Sequence, residues 1–224
     1  MTSSVRLALF DCDGTLADSQ HAIVSAVERA FAACGQAIPP AAQVRRGIGL
    51  SVPVAIARLA PGASDAEVER LADAYREAYF EARTAHGADP EPLFDGVVAL
   101  LDELQGDGWT LGIATGKSRR GLERLLRQHG LTDRFATLQV ADNHPSKPHP
   151  SMALAAMEAV GAAPAQTAVI GDTAHDMGLA RAAGARALGV AWGYHDEAEL
   201  TAGGAEAIAS NPPAVAIQLR SWLA

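Results

Sequence analysis

Val5-Arg6-Leu7-Ala8-Leu9-Phe10-Asp11-Cys12-Asp13-Gly14-Thr15-Leu16 is the stretch on which the reading of this chain turns. A short apolar run, Val5 to Phe10, stops at Asp11 and reads as a buried strand. Two aspartates at i and i+2 leave an extended strand on the same side. They crowd at its C-terminal end, where parallel α/β sheets place their ligands, and Gly14 lets the chain turn there. Two like charges so close call for a bound divalent cation, or for one carboxyl held protonated, as suits a general acid.

Working outward, similar apolar runs recur at Trp109–Ala114, Phe135–Val140, Ala168–Ile170 and Ala187–Ala191. Amphipathic helical stretches alternate with them: Val97–Leu104, Leu122–His129, Met152–Val160 and Met177–Ala183. Alternating strand and helix predict a parallel α/β sheet covered on both faces. The segment from Asp18 to about Glu91 differs, because it holds no convincing strand. Ile23, Val27, Ala30 and Phe31 recur at helical spacing. Ser64-Asp65-Ala66-Glu67 is a capping box ahead of a long helix through about Arg83. Pro39-Pro40 and Pro61-Gly62 punctuate the segment, and His86-Gly87-Ala88-Asp89-Pro90 closes it. The expected organisation is a helical insert, residues 18–90, within an α/β core of residues 1–17 and 91–224. Near the end, Asn211-Pro212 reads as an N-cap followed by proline at the first helical position.

A second acidic pair follows the fourth run, in Gly171-Asp172-Thr173-Ala174-His175-Asp176. Asp172 and Asp176 at i and i+4 share one helix face, and carboxylates with water and phosphate oxygens suit magnesium. Only two lysines occur, Lys117 and Lys147, against sixteen arginines. Each sits beside a strand end, in Ala114-Thr115-Gly116-Lys117 and Ser146-Lys147-Pro148-His149-Pro150. A compact ammonium and a planar guanidinium are not interchangeable at a crowded site, so Lys147 is read as an oxyanion ligand. Lys117 is read either as a second oxyanion ligand or as a solvated residue at a helix start. Thr115 and the amides after it can bind an anion.

The bulk numbers narrow the function. At 224 residues and 49% hydrophobic, one large domain, or a core with an insert, can bury a substantial centre. The net charge of −8 and the lack of a basic stretch argue against nucleic acid. No apolar run approaches a membrane span, and the first run is too short for a secretory leader, so a cytoplasmic location is expected. Cys12 and Cys34 give neither a disulfide framework nor a zinc spacing, and Cys12 lies in a negative field that disfavours a thiolate. Trp109, Trp192 and Trp222 read as packing residues. Nothing in the sequence sets the oligomeric state.

Four stations in this order resemble the haloacid dehalogenase superfamily of phosphohydrolases: Asp11-x-Asp13-Gly14-Thr15-Leu16, Thr115, Lys147, and Gly171-Asp172-x-x-x-Asp176. Asp18-Ser19 and Gly189-Val190-Ala191-Trp192-Gly193 further resemble its phosphoglycolate-phosphatase-like branch. The resemblance implies a Rossmann-like core with a small all-helical cap after the first strand. It implies a phosphatase acting on a small phosphorylated metabolite, such as phosphoglycolate or a sugar phosphate. Asp11 would be the nucleophile that forms an aspartyl-phosphate, and Asp13 the acid and base. Magnesium would lie among Asp11, the Asp13 main-chain oxygen and Asp172, with Asp176 binding it through water or orienting Lys147. Thr115, the Gly116 amide and Lys147 would hold the phosphoryl oxygens. Position 146 is Ser where many relatives carry glycine.

Within the superfamily, the insert lacks the lysine that phosphonate-cleaving members need, and Asp13 is absent from dehalogenase members. Sugar-phosphate mutases carry a histidine where this chain has Ile23, and His21 is two positions away. A mutase is the alternative enzyme reading, and a binding protein that keeps the fold is the non-enzymatic one. Substrate choice is expected from Arg45-Arg46-Gly47-Ile48-Gly49-Leu50, with Arg45 and Arg46 pairing an anionic group and Gly49 letting the loop close.

Overall fold

A computed structural model describes residues 5–84 and 91–222; the expected turn at His86–Pro90 lies outside the described residues. Six strands form one sheet: β1 (Leu7–Phe10), β2 (Thr110–Thr115), β3 (Thr137–Val140), β4 (Thr167–Gly171), β5 (Arg186–Val190) and β6 (Ala207–Ala209). Their order is β3-β2-β1-β4-β5-β6, and each neighbouring pair runs parallel. The four later runs that read as strands all lie in the sheet, shifted at their ends by one or two residues. The short edge strand β6 had no such signal.

The chain works outward from β1 in both directions, so β1 is the switch point of the sheet. Phe10 pairs with Ile113 on one side and Ile170 on the other, which brings the C-terminal ends of β1, β2 and β4 side by side. Helices α5 (Val97–Gly106), α6 (Arg119–Gln128), α7 (Ser151–Val160), α8 (Ala174–Ala182), α9 (Glu197–Gly203) and α10 (Pro212–Trp222) complete this part of the chain. Alternation along β1 divides its side chains between two apolar layers. Ala8 and Phe10 join Leu101, Ile113, Leu122 and Val215, whereas Leu7 and Leu9 join Met152, Met157, Val169 and Met177. Trp109 is buried in the first layer, and Trp192 and Trp222 pack on its margin.

Apart from isolated bridges at Asp13, Ala17 and Leu93, the described residues between β1 and α5 form no strand but four helices: α1 (Gln20–Ala33), α2 (Ala41–Arg46), α3 (Val52–Leu59) and α4 (Asp65–Thr84). They bury a third apolar cluster of their own around Val27, Phe31, Val44, Ile56 and Leu71. The capping box forms as read: Ser64 N–H donates to Glu67 at 2.9 Å, and Glu67 N–H donates to Ser64 Oγ at 3.4 Å. Asn211 Oδ1 likewise accepts from Ala214 N–H at 3.1 Å and caps α10. No helix among the described residues is long and apolar enough to cross a membrane.

Candidate active site

The convergence of strand ends gathers the charged residues. Asp11, Asp172 and Asp176 are buried, and each offers an oxygen lying within 4.8 Å of the others'. Lys147 Nζ sits 2.7 Å from Asp11 Oδ1 and 2.6 Å from Asp176 Oδ1. Asp172 accepts from Thr15 Oγ1 at 3.0 Å and from Tyr194 N–H at 2.9 Å. Asp176 also works structurally: its Oδ2 accepts from Thr173 N–H at 3.1 Å and Thr173 Oγ1 at 2.6 Å, closing a capping box on α8. Close packing holds the cluster. Gly14 has φ +91°, and a Cβ there would lie 2.1 Å from Asp172 Oδ2, so position 14 needs glycine on both counts.

One ammonium among three buried carboxylates leaves a negative surplus, and Asp11 Oδ2 has no hydrogen-bond partner. Burial pushes Asp11 up to about 7, although Lys147 pulls the other way. Burial, then the charges of Asp11 and Asp176, push Asp172 well above the ordinary carboxylate range. A hard divalent cation supplies the missing charge with the ligand type it prefers, so the residues present fit a metal such as magnesium. Burial and the neighbouring Asp13 charge also hold the Cys12 thiol far above its ordinary value, as a packing role requires.

Asp13 points into a different network. Its Oδ1 lies 2.6 Å from Lys117 Nζ. Lys117 also donates to Tyr79 Oη at 2.8 Å and to Glu91 Oε2 at 3.1 Å. Lys117 is therefore buried, and the reading of it as a solvated helix-start residue is corrected. Glu91 was not singled out from the sequence. It accepts from Ser19 Oγ and Tyr79 Oη, each at 2.6 Å, and from Arg124 Nη2 at 3.2 Å. Burial alone would raise Glu91, but the Lys117 charge and these hydrogen bonds hold it down at about 2. The one visible signal was a lone glutamate between Pro90 and Pro92 where the insert ends.

Thr115 is fully buried at the end of β2, and its Oγ1 accepts from Lys117 N–H at 3.2 Å. Gly116 meets the helical insert: a Cβ there would lie 2.4 Å from the Leu50 carbonyl oxygen. Gly49, with φ +93°, sits over the cluster, where an added Cβ would be 3.4 Å from Thr173 Oγ1 and 3.9 Å from Asp11 Oδ2. Ser146 Oγ accepts from Ser51 N–H at 2.9 Å, so the residue that departs from glycine ties the two parts together. Neither arginine of this loop bonds to the cluster. Arg46 pairs with Glu199 at 3.2 Å with its side chain 70% exposed, and Arg45 lies half-buried in the last turn of α2. A cavity of about 630 Å³ opens between the insert and the sheet edge; Asp13, Gly49, Gly116 and Lys117 line it and neither arginine does.

A family model described as haloacid dehalogenase-like hydrolase matches residues 8–190. A protein named probable phosphatase IndB from Dickeya dadantii is 40% identical over 200 residues, covering 88% of this chain and 85% of that one. A phosphoglycolate phosphatase from Xylella fastidiosa is 34% identical over 199 residues, with 88% and 85% covered. The crystal structure of a hydrolase from Pseudomonas syringae superposes with a TM-score of 0.85 at 28% identity, covering 98% of this chain and all of that one.

Proposed function

The chain belongs to the haloacid dehalogenase-like hydrolase family, and from that premise we propose that it is a magnesium-dependent phosphatase of small phosphomonoesters, working through an aspartyl-phosphate. The observation that carries this reading is the buried meeting of Asp11, Asp172, Asp176 and Lys147 at one sheet edge. Residues 1–17 and 91–224 serve as the catalytic core and residues 18–90 as its cap.

Asp11, with its unpartnered Oδ2, and Asp172 would hold the ion, together with the Asp13 main-chain oxygen; Asp176 would contribute through water or by fixing Lys147. Bound there, magnesium neutralises charge on the transferring phosphoryl group and keeps Asp11 ionised. The Asp11 carboxylate attacks phosphorus, and an oxygen–phosphorus bond forms as the bond to the leaving alcohol breaks. Asp13 gives a proton to the departing oxygen, then takes one from the water that cleaves the acyl phosphate. Lys147, Thr115 and the Gly116 amide hold the phosphoryl oxygens through both steps. Hydrolysis is favoured over the mutase alternative because Ile23, where mutases carry histidine, lines the cavity and is aprotic.

The test is turnover of p-nitrophenyl phosphate with and without magnesium. Wild type turns over only with the ion, and Asp11→Asn loses activity by a factor on the order of 10³ or more. An Asp11→Asn protein as fast as wild type would remove the nucleophile assignment.

A further inference from the structure

The cavity beside the site is far larger than a two-carbon leaving group needs. At about 630 Å³ it falls in the range of roughly 300–1,000 Å³ that encloses drug-sized ligands. One end is built by Asp13, Gly116 and Lys117 and the other runs into the helical cap. In the proposed reaction Asp13 protonates the leaving oxygen, so whatever extends past Asp13 is the leaving group.

Much of the wall beyond Asp13 is apolar. Ile23 and Val27 of α1, Ile56 and Leu59 of α3, and Tyr75 and Tyr79 of α4 line it. The two tyrosine rings stack with centroids 5.7 Å apart. The Tyr79 hydroxyl is already engaged, donating to Glu91 and accepting from Lys117, which leaves its ring for contact. The charged side chains at this wall are mostly cationic: Arg76, Arg120, Arg124 and Arg127 line it together with Asp142, and the exposed Arg120 guanidinium lies 3.5 Å over the Phe80 ring. A short carboxylate leaving group would leave most of this apolar surface uncovered. A ring-bearing one would cover the apolar surface and stack on aromatic walls.

Resting on the phosphatase reading above, we propose that the preferred substrate is a phosphomonoester whose alcohol carries a ring-sized, uncharged or anionic body seated between α1, α3 and α4. Phosphoglycolate-sized esters are then poor substrates.

Two non-hydrolysable probes separate this claim from the catalytic one: 1-naphthylmethylphosphonate and 3-phosphonopropionate, the latter the carbon analogue of phosphoglycolate. Their binding is measured by calorimetry on the wild-type protein with magnesium. The aryl probe binds about tenfold or more tightly. In Ile23→Phe and Leu59→Phe, two half-buried positions that fill the cavity without touching the charged cluster, that preference falls to about twofold or less while the small probe binds as before. Equal affinity of the two probes in wild type, or equal losses for both in the filled variants that still fold, overturns the proposal. If no phosphomonoester is turned over, the catalytic reading fails on its own and the binding comparison still decides what the cavity holds.

Discussion

Asp13 and Lys117 meet at 2.6 Å with both side chains buried. The pairing joins the second aspartate of the first motif to the residue two places after Thr115. Lys117 is simultaneously bonded to Glu91 and Tyr79, so one ammonium touches two carboxylates and links α4 to the end of β2. Removing it takes the cationic partner from Asp13 and leaves Glu91 with Arg124 at 3.2 Å. Breaking a buried pair by deleting one partner costs about 3–5 kcal/mol. Lys117→Met should therefore lower the melting temperature by roughly 10 °C for a chain of this size, and slow turnover because Asp13 loses the group that orients it. Lys117→Arg should not restore turnover, since a planar fork cannot occupy the position of a compact ammonium. Thermal unfolding and p-nitrophenyl phosphate kinetics check both; a Lys117→Met protein with unchanged melting would show that the buried pair stabilises nothing.

Glu91 sets a pH dependence of stability. Its folded value is near 2 against an ordinary 4.5, so the folded chain binds fewer protons than the unfolded one between those limits. The stabilisation is complete above about pH 4.5 and is lost as pH falls toward 2. It amounts to something on the order of 3 kcal/mol. Glu91→Gln should be less stable than wild type near neutrality, and the gap should close as the pH drops through this window. Urea midpoints measured from pH 6 down to the lowest pH at which both proteins fold would reveal it. A gap that stays constant with pH would mean that the charge of Glu91 is not what stabilises the fold.

The alternation of apolar runs and helical stretches made the sheet readable, because buried parallel strands are apolar on both faces. Asp11 and Asp172 stood out for a related reason, since charged residues directly after such runs have few structural uses, and Lys147 stood out as one of only two lysines in the chain. What escaped was partnership across the chain. Glu91 looks like any exposed glutamate until Ser19, Tyr79, Lys117 and Arg124 converge on it from separate elements. Arg46 shows the converse. Its neighbouring glycines suggested a closing loop, and the loop does lie over the site, but the loop's backbone makes the approach while the arginine turns to Glu199. Backbone proximity of that kind leaves no mark in residue type except the glycines themselves.

The acidic cluster predicts a stabilising response to magnesium. Three buried carboxylates meet and Lys147 pairs with only two of them, and an ion bound only by the folded state raises stability by about 3 kcal/mol at a hundredfold excess over its dissociation constant. A magnesium titration should raise the melting temperature by roughly 5–10 °C. Asp172→Asn should show little or none of that rise, because a neutral amide replaces a ligand while keeping its size. An equal rise in the two proteins would place the ion away from Asp172.

Among the contacts between the helical insert and the sheet edge, one is made by backbone and another by a hydroxyl, and the two can be separated. At Gly116 an added methyl would sit 2.4 Å from the Leu50 carbonyl oxygen and 2.8 Å from that of Gly49. Backbone atoms cannot step aside as a flexible side chain can, so Gly116→Ala must push the Gly49–Leu50 loop off the site. Ser146→Gly removes only the 2.9 Å hydrogen bond from Ser51 N–H, worth about 1 kcal/mol, with no clash. Gly116→Ala should thus reduce kcat/KM by more than tenfold, roughly what 1.4 kcal/mol or more of lost closure costs, with a small change in melting because the buried layers on either side of the sheet are untouched. Ser146→Gly should cost about fivefold or less, mainly through KM. If Gly116→Ala were as active as wild type, the loop would not need to lie over Asp11 for turnover, and the closed arrangement would be one resting position of the cap among others.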